Sequence, residues 1–482
     1  MRRLAVGAVV LGAALGVAHG TALAATLRIT ADPGLTPSFR TGVPDYVSGC
    51  AKPVRFSVDA PSGYAVGIDG DAPRSGSFTR TVSLSPGQST SIVVRTGSRK
   101  TRHHVRCLPS SFPRFEFERP GQPAAQFYLF APSSGDGKGP YTHHVTIMDR
   151  HGVPVWWRRA DPSPFNSTLL ADESLAWTRW YGDPFGMRAD SAWEIHTLDG
   201  ELVRTLRTVG SPADTHDMEP LPNGDFLMVT YPLRRHVDLA QYGGSGTGAV
   251  LDGEIQEIDP SGAVGWAWST KDHVAPSETT TRPPIRRGLP DGSSGFDIVH
   301  LNSVAPDGAG GLVVSLRHAD AVYRIELPSG KVTWKLGGTK VPGESVEVSG
   351  DPLSPTLTHQ HDARVLPDGT ITVYDNRSHV SPPRAVRFRV DAAAHTARWL
   401  GQVTEPKVRS SGAEGSARMI GGHWVVSWGG STVMSEWTGG GALVWRARFK
   451  HGVINYRLTP IARGRLAATE LRQAMDRMFP RP

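Results

Sequence analysis

The chain has 482 residues, 39% of them apolar and 20% charged, a balance that excludes wholesale disorder. It is too long for one ordinary core, so two domains or one large repeat architecture are expected. The net charge is +7, yet the basic residues form no run of five or six, which argues against a nucleic-acid partner and leaves a solvated basic surface that steers anions.

In chain order, Met1-Arg2-Arg3, an apolar stretch over 4–17 and Ala22-Leu23-Ala24 before Ala25 read as a signal peptide spanning 1–24. The paired arginines leave twin-arginine export open. No later segment approaches the ~20 apolar residues of a membrane helix, so the mature protein is expected to be secreted or extracytoplasmic, with no integral membrane segment. Cys50 and Cys107 are the two cysteines, and in an oxidising compartment such an isolated pair forms a disulfide. Residues 25–118 hold short alternating or β-branched runs, such as "VRFSV" and "SIVVR", broken by Pro and Gly turns, the pattern of a small β-sandwich. The Pro-rich segment 113–123 reads as a linker.

Beyond it, from 119 to 482, the sequence repeats. One unit is a strand, a turn and a strand, as in "VTIMDRHGVPVWW" (145–157), "EIQEIDPSGAVGWAW" (254–268) and "VYRIELPSGKVTW" (322–334), and five of its six copies end in Trp. A hairpin alternates with it: "EPLPNGDFLMVTY", "SVAPDGAGGLVVSLRH", "ARVLPDGTITVYDN" and, last, "YRLTPIARGRLAATE" (456–470). Asn-Gly and Asp-Gly mark its turns. Six copies of each predict an all-β fold, a six-bladed β-propeller preceded by the small N-terminal β-sandwich. The ring is expected to close by pairing the last hairpin with the first strands, leaving no free edge. The tryptophans are expected to pack between blades.

His361 lies seven residues before Asp368 of its turn, His300 seven before Asp307, and His216 seven before Asn223. Equal distance from the turn means equal height along the inner strand. The same offset in the other blades falls near Asn166, on Glu414 and on Tyr456, which makes Glu414 and Tyr456 candidate substrate contacts. With a strand period of two, Asn302 shares a face with His300, and His359 shares one with His361 but lies further out, in reach of substrate or solvent. The hairpin starting at His300 returns with Arg317-His318, which sets a guanidinium opposite His300; Arg377 holds a similar place one blade on. Asp217 and Asp362, each beside a histidine, point to the opposite face and read as structural.

Three imidazoles, an arginine and an asparagine suit transfer of an anionic group. A neutral histidine attacks an electrophilic sulfur or phosphorus, and Arg and Asn bind the oxygens on which charge sits. No nucleotide-binding loop occurs, and no cofactor is called for.

The segments "HDMEPLPNGDFLMV", "DIVHLNSVAPDGAGGLVVSLRHADAVYRIELPSGKVTWKLGG" and "QHDARVLPDGTITVYDN" resemble the arylsulfotransferase family, in particular its exported actinobacterial and fungal-type branch. The similarity covers most of 126–470 and is strongest over 297–376. The resemblance implies sulfuryl transfer from a phenolic sulfate ester to a phenol, without a nucleotide donor and through a sulfohistidine. Carried over by motif, the nucleophile falls on His361. His300, Asn302 and Arg317 bind the sulfuryl group and assist departure, and His216 is a further active-site histidine. Asp362 after the Gln-His is a departure from the best-understood members. Two other readings stay open: a zinc site built from the three histidines, and a non-catalytic propeller that binds an anionic or sulfated ligand. The oligomeric state and the natural donor and acceptor stay open as well.

Overall fold

The structure, a computed structural model, describes residues 26–134, 143–182, 185, 188–289, 291–380 and 382–481; the signal peptide expected over 1–24 lies outside them. Strand formation follows the period-two pattern. In Val54–Ala60 the residues Val54, Phe56, Val58 and Ala60 are buried and the residues between them are exposed. This strand, with Arg28–Asp32 and Gly76–Val82, forms a three-stranded sheet. A second sheet orders Leu35–Thr36, Asp45–Gly49, Arg99–Leu108, Ser89–Thr96 and Tyr64–Ile68. Ile29, Phe56, Val66, Ile92 and Val105 from both sheets share one apolar core.

Cys50 and Cys107 are joined, with Cα atoms 5.4 Å apart and a sequence separation of 57. A loop of that length implies that reduction lowers stability by about 4 kcal/mol in the chain-entropy model. Urea unfolding with and without reductant measures it, and a difference below about 1 kcal/mol contradicts it.

The remaining strands form further sheets, six of which contain four consecutive antiparallel neighbours among the described residues. In one, Val453–Ile461 pairs with Phe127–Ser134, followed by His144–Asp149 and Pro154–Arg159, so a late strand completes the earliest of these sheets. The expected closing hairpin over 456–470 is a single strand, and Ala468–Met478 is a helix. Leu471, Ala474 and Met475 on one helical face pack with Phe127, Trp157 and Val47. Arg472 and Asp476 on the helix pair with Asp45 and Arg106, tying the N-terminal sheets to the rest. The segment 113–123 is not a free linker: Phe115–Glu118 adds a fifth strand beside Leu443–Phe449, because "FEFE" alternates and its backbone meets an open edge.

The tryptophans tie neighbouring sheets. The indole N–H of Trp156 donates to Leu198 O (2.8 Å), that of Trp193 to Asp214 O (3.0 Å) and that of Trp268 to Gly330 O (2.9 Å). The repeat pattern did not announce an inserted sheet, ordered Leu233–Val237, Gly248–Leu251, Ser294–Asp297 and Ile285–Gly288. It ends on Asp297, three residues before His300.

Candidate active site

The strands Ala213–Pro220, Leu301–Pro306 and His361–Val365 each lose regular register at the histidine. Pairing jumps between Ala213 and Met218, between Leu301 and Ser303, and between His361 and Arg364. His300 and Asp362 take left-handed backbone angles, φ 51° and 53°. Such bulges re-aim side chains that a flat strand would send to alternating faces.

As a result the residues at equal repeat offset converge. The rings of His216 and His300 lie 4.8 Å apart, and those of His300 and His361 6.3 Å. Tyr456 is 5.8 Å from His216 and 6.4 Å from His361. Asn166 donates from Nδ2 to His216 O (2.8 Å), and the Glu414 N–H reaches His361 Nε2 at 3.3 Å. All three histidines are buried.

Each histidine has a fixed Nδ1 partner that the sequence reading missed. His216 Nδ1 faces both oxygens of Asp214 at 2.8 and 2.9 Å, and His300 Nδ1 faces Asp297 Oδ2 at 2.7 Å. His361 Nδ1 faces a neutral amide, Asn376 Oδ1, at 2.7 Å. Asn376 spends its Nδ2 on Ser411 Oγ (2.8 Å) and Glu414 O (2.9 Å), so its oxygen must be the acceptor and His361 carries its proton on Nδ1. The lone pair of His361 is therefore on Nε2, where it accepts the long bond from the Glu414 N–H. Burial, then the charges of Arg317 and His300, push the His361 imidazole well below its usual pKa, so it stays neutral. Burial does the same to His300 against the pull of Asp297.

Arg317 follows the return strand as expected, its N–H on His300 O at 3.0 Å. Its Nη1 donates to His318 Nε2 (2.7 Å) and its Nη2 to Gly412 O (2.6 Å), and burial lowers its pKa to about 10. Asn302 is fully buried and donates to Gln360 O (2.8 Å), leaving its Oδ1 without a partner. His359 is not in the ring. It is buried, not solvent-exposed; its ring neighbours are His318 and His379, each at 5.8 Å, and Thr281 Oγ1 lies 3.2 Å from Nε2. Its own left-handed backbone (φ 53°) breaks the period of two that placed it beside His361. Arg377 faces Asp375 and Pro355 O, away from the position that Arg317 holds.

Asp297 holds both His300, through Oδ2, and His318, whose Nδ1 bonds the Asp297 backbone O at 2.9 Å and lies 3.4 Å from Oδ1. These three residues, not the three histidines of equal offset, bring metal-ligand atoms within 4.8 Å of one another. Both Nδ1 atoms are already spent on hydrogen bonds to Asp297, that of His300 to the carboxylate and that of His318 to the backbone carbonyl. From the inserted sheet, Arg287 lies 5.3 Å over the Phe185 ring, and Phe185 packs on His300 at 5.1 Å. Phe185 also lines a cavity of about 440 Å³ with Tyr231, Leu233 and Leu289.

The two aspartates beside the histidines are structural. Arg364 binds Asp217 (2.8 Å), Asp362 (2.8 Å) and Glu219 (3.1 Å); Arg418 binds Asp362 (3.2 Å), and Arg457 bridges Asp217 and Asp362. Three acids and three guanidiniums thus balance directly beneath the imidazoles. Burial opposes the Asp217 charge, but Arg364 and Arg457 prevail and hold its carboxyl below the usual range.

An all-β frame thus brings three buried imidazoles together, with the charge of Arg317 acting on His361. Residues 186–450 match the arylsulfotransferase (ASST) family, and the chain belongs to it. This family membership supports aryl sulfotransferase activity and small-molecule aryl substrates in general. No curated protein matches the chain. Among solved structures it is similar to a protein of unknown function from Bacteroides caccae, at 13% identity and TM-score 0.42, covering 70% of this chain and 99% of that one. It is also similar to virginiamycin B lyase from Staphylococcus aureus, at 11% identity and TM-score 0.34, covering 69% and 88%. No described helix is long and apolar enough to cross a membrane.

Proposed function

We propose that the protein moves a sulfuryl group from a phenolic sulfate ester to a phenol through a sulfohistidine on His361, without a nucleotide donor. In this reading the six sheets are the blades of a six-bladed β-propeller over 119–482, the N-terminal sheets are a β-sandwich over 25–118, and the protein is an exported member of the family, with a signal peptide over 1–24. The observation that carries it is the asymmetry of the histidines: two are held by carboxylates, and His361 by the Asn376 amide oxygen, which fixes its proton on Nδ1 and leaves the lone pair on Nε2, while burial, Arg317 and His300 keep the ring neutral. A neutral Nε2 is the nucleophile, and displacement at sulfur breaks the aryl O–S bond. In this reading Arg317 and Asn302 bind the sulfuryl oxygens, His300 and His216 serve the departing oxygen, and Tyr456 and Glu414 contact the substrate.

The test is incubation with 4-nitrophenyl sulfate and phenol. Nitrophenol release that accelerates with phenol, matched by phenyl sulfate formed, is expected. Release with sulfate as the sole product, lost on chelation, would instead favour a metal-dependent hydrolase at Asp297, His300 and His318. No release, with tight binding of an aryl sulfate, would leave a binding protein.

A further inference from the structure

Sulfuryl transfer of this kind needs a proton delivered to the departing phenolate and one removed from the incoming phenol, and two of the three histidines have none to spare. Burial keeps His300 and His361 neutral, and each then holds its proton on Nδ1 toward its acceptor, leaving Nε2 bare. Tyr456 offers an O–H, 3.5 Å from Asn302 O, but burial holds this phenol far above its usual range, so it does not ionise. Both terminal nitrogens of Arg317 are committed to protein acceptors.

Glu414 differs. Its backbone is clamped beside the nucleophile: its N–H reaches His361 Nε2 at 3.3 Å, and its carbonyl accepts from Asn376 Nδ2 at 2.9 Å. It takes a left-handed φ of 65°, followed by Gly415 at 106°, a conformation that a glutamate adopts only when its surroundings impose it. Its Oε2 is shielded from solvent and has no hydrogen-bond partner.

We propose that Glu414 is the proton carrier of both half-reactions, an inference that rests on the sulfuryl-transfer reading above. In the first, the Nε2–S bond forms and the aryl O–S bond breaks; the electron pair goes to the aryl oxygen, which takes the proton of the Glu414 carboxyl. In the second, the acceptor phenol returns a proton to the Glu414 carboxylate as its oxygen bonds sulfur, and the S–Nε2 pair goes back to His361. Burial pushes the carboxyl up to about 7, opposed by the Gly430 N–H and His216, which suits a group that both gives and takes a proton at neutral pH. The other titratable or charged groups around it are His361, Tyr374, Tyr456 and Arg317, whose guanidinium bonds Gly412 O two residues away.

The test compares donors with leaving groups of rising basicity: 4-nitrophenyl, phenyl and 4-methylphenyl sulfate, with one fixed acceptor in excess. With Glu414→Gln, kcat/KM should fall least for the nitrophenyl donor, since nitrophenolate leaves unaided. For the other two donors it should fall about 10²-fold or more. The loss of wild-type activity toward phenyl sulfate as pH rises through about 7 should disappear in the variant. Equal loss on all donors, or no loss on any, overturns the proposal. Should Glu414→Gln fail to fold, Glu414→Asp reads the same quantity, with the alkaline fall retained and discrimination against poor leaving groups increased; a uniform change overturns it. A wild-type protein that transfers from no aryl sulfate overturns the sulfuryl-transfer reading itself, whereas transfer with a uniform Glu414→Gln defect overturns this proposal alone.

Discussion

His361→Ala is expected to lower transfer from 4-nitrophenyl sulfate by about 10⁴-fold or more, the scale on which a covalent mechanism loses its nucleophile. The change removes the one imidazole of the three whose Nδ1 partner is a neutral amide, with its lone pair on Nε2. Retained activity in that variant removes His361 from the chemistry. The pH dependence carries the same signature. The reacting form is neutral, and burial, Arg317 and His300 lower the imidazole's pKa. Activity should therefore persist as pH falls through 6.5, the ordinary histidine value, and be lost only below it. An acid limb centred at or above 6.5 contradicts a buried neutral nucleophile.

Arg457→Met is expected to cost about 3–5 kcal/mol of stability, because it strips a shared partner from two buried carboxylates. Arg457 bridges Asp217 and Asp362 and also donates to Asn302 O at 2.8 Å, so one change leaves two anions and a carbonyl short. The pH dependence follows from the lowered Asp217 carboxyl. Its contribution is fully present above the unfolded value near 3.8 and is lost as pH falls through the lower folded value. Without Arg457 the folded value rises, and acid unfolding should begin at higher pH. Urea unfolding at neutral pH measures the loss, and a change under about 1 kcal/mol contradicts it. Asp217→Asn combined with Arg457→Met should cost less than the two single changes added together.

The turn-based ruler was readable because Asp-Gly and Asn-Gly fix where a hairpin ends, and an inner strand rises by a constant step. It located His216, His300 and His361 and also Glu414 and Tyr456, which share no residue type. The partners were less legible. Asp214 and Asp297 precede their histidines by two and three residues, and in regular strands only the first would share a face. Bulges bring both into contact, and a bulge leaves no mark in a hydrophobic pattern. The same irregularity misplaced His359. Asn376 was quoted within its motif, but its role depends on a return strand whose register the sequence does not set. The inserted sheet and the 468–478 helix escaped because neither repeats.

The pairing of Val453–Ile461 with Phe127–Ser134 has a consequence for the order in which the protein becomes competent. That late strand carries both Tyr456 of the ring and Arg457 of the charge cluster. During synthesis, which proceeds from the N-terminus, the three histidines and Asp217 and Asp362 are all made while Arg457, one of the two guanidiniums those aspartates share, is still missing. Until the strand docks, three acids face only two guanidiniums, Arg364 and Arg418, and the imidazoles lack Tyr456; long-range closure is the slow class of folding event. Assembly of the proposed site therefore waits on this late strand: a nascent or truncated polypeptide that ends before 453 holds every proposed histidine but lacks Tyr456 and Arg457.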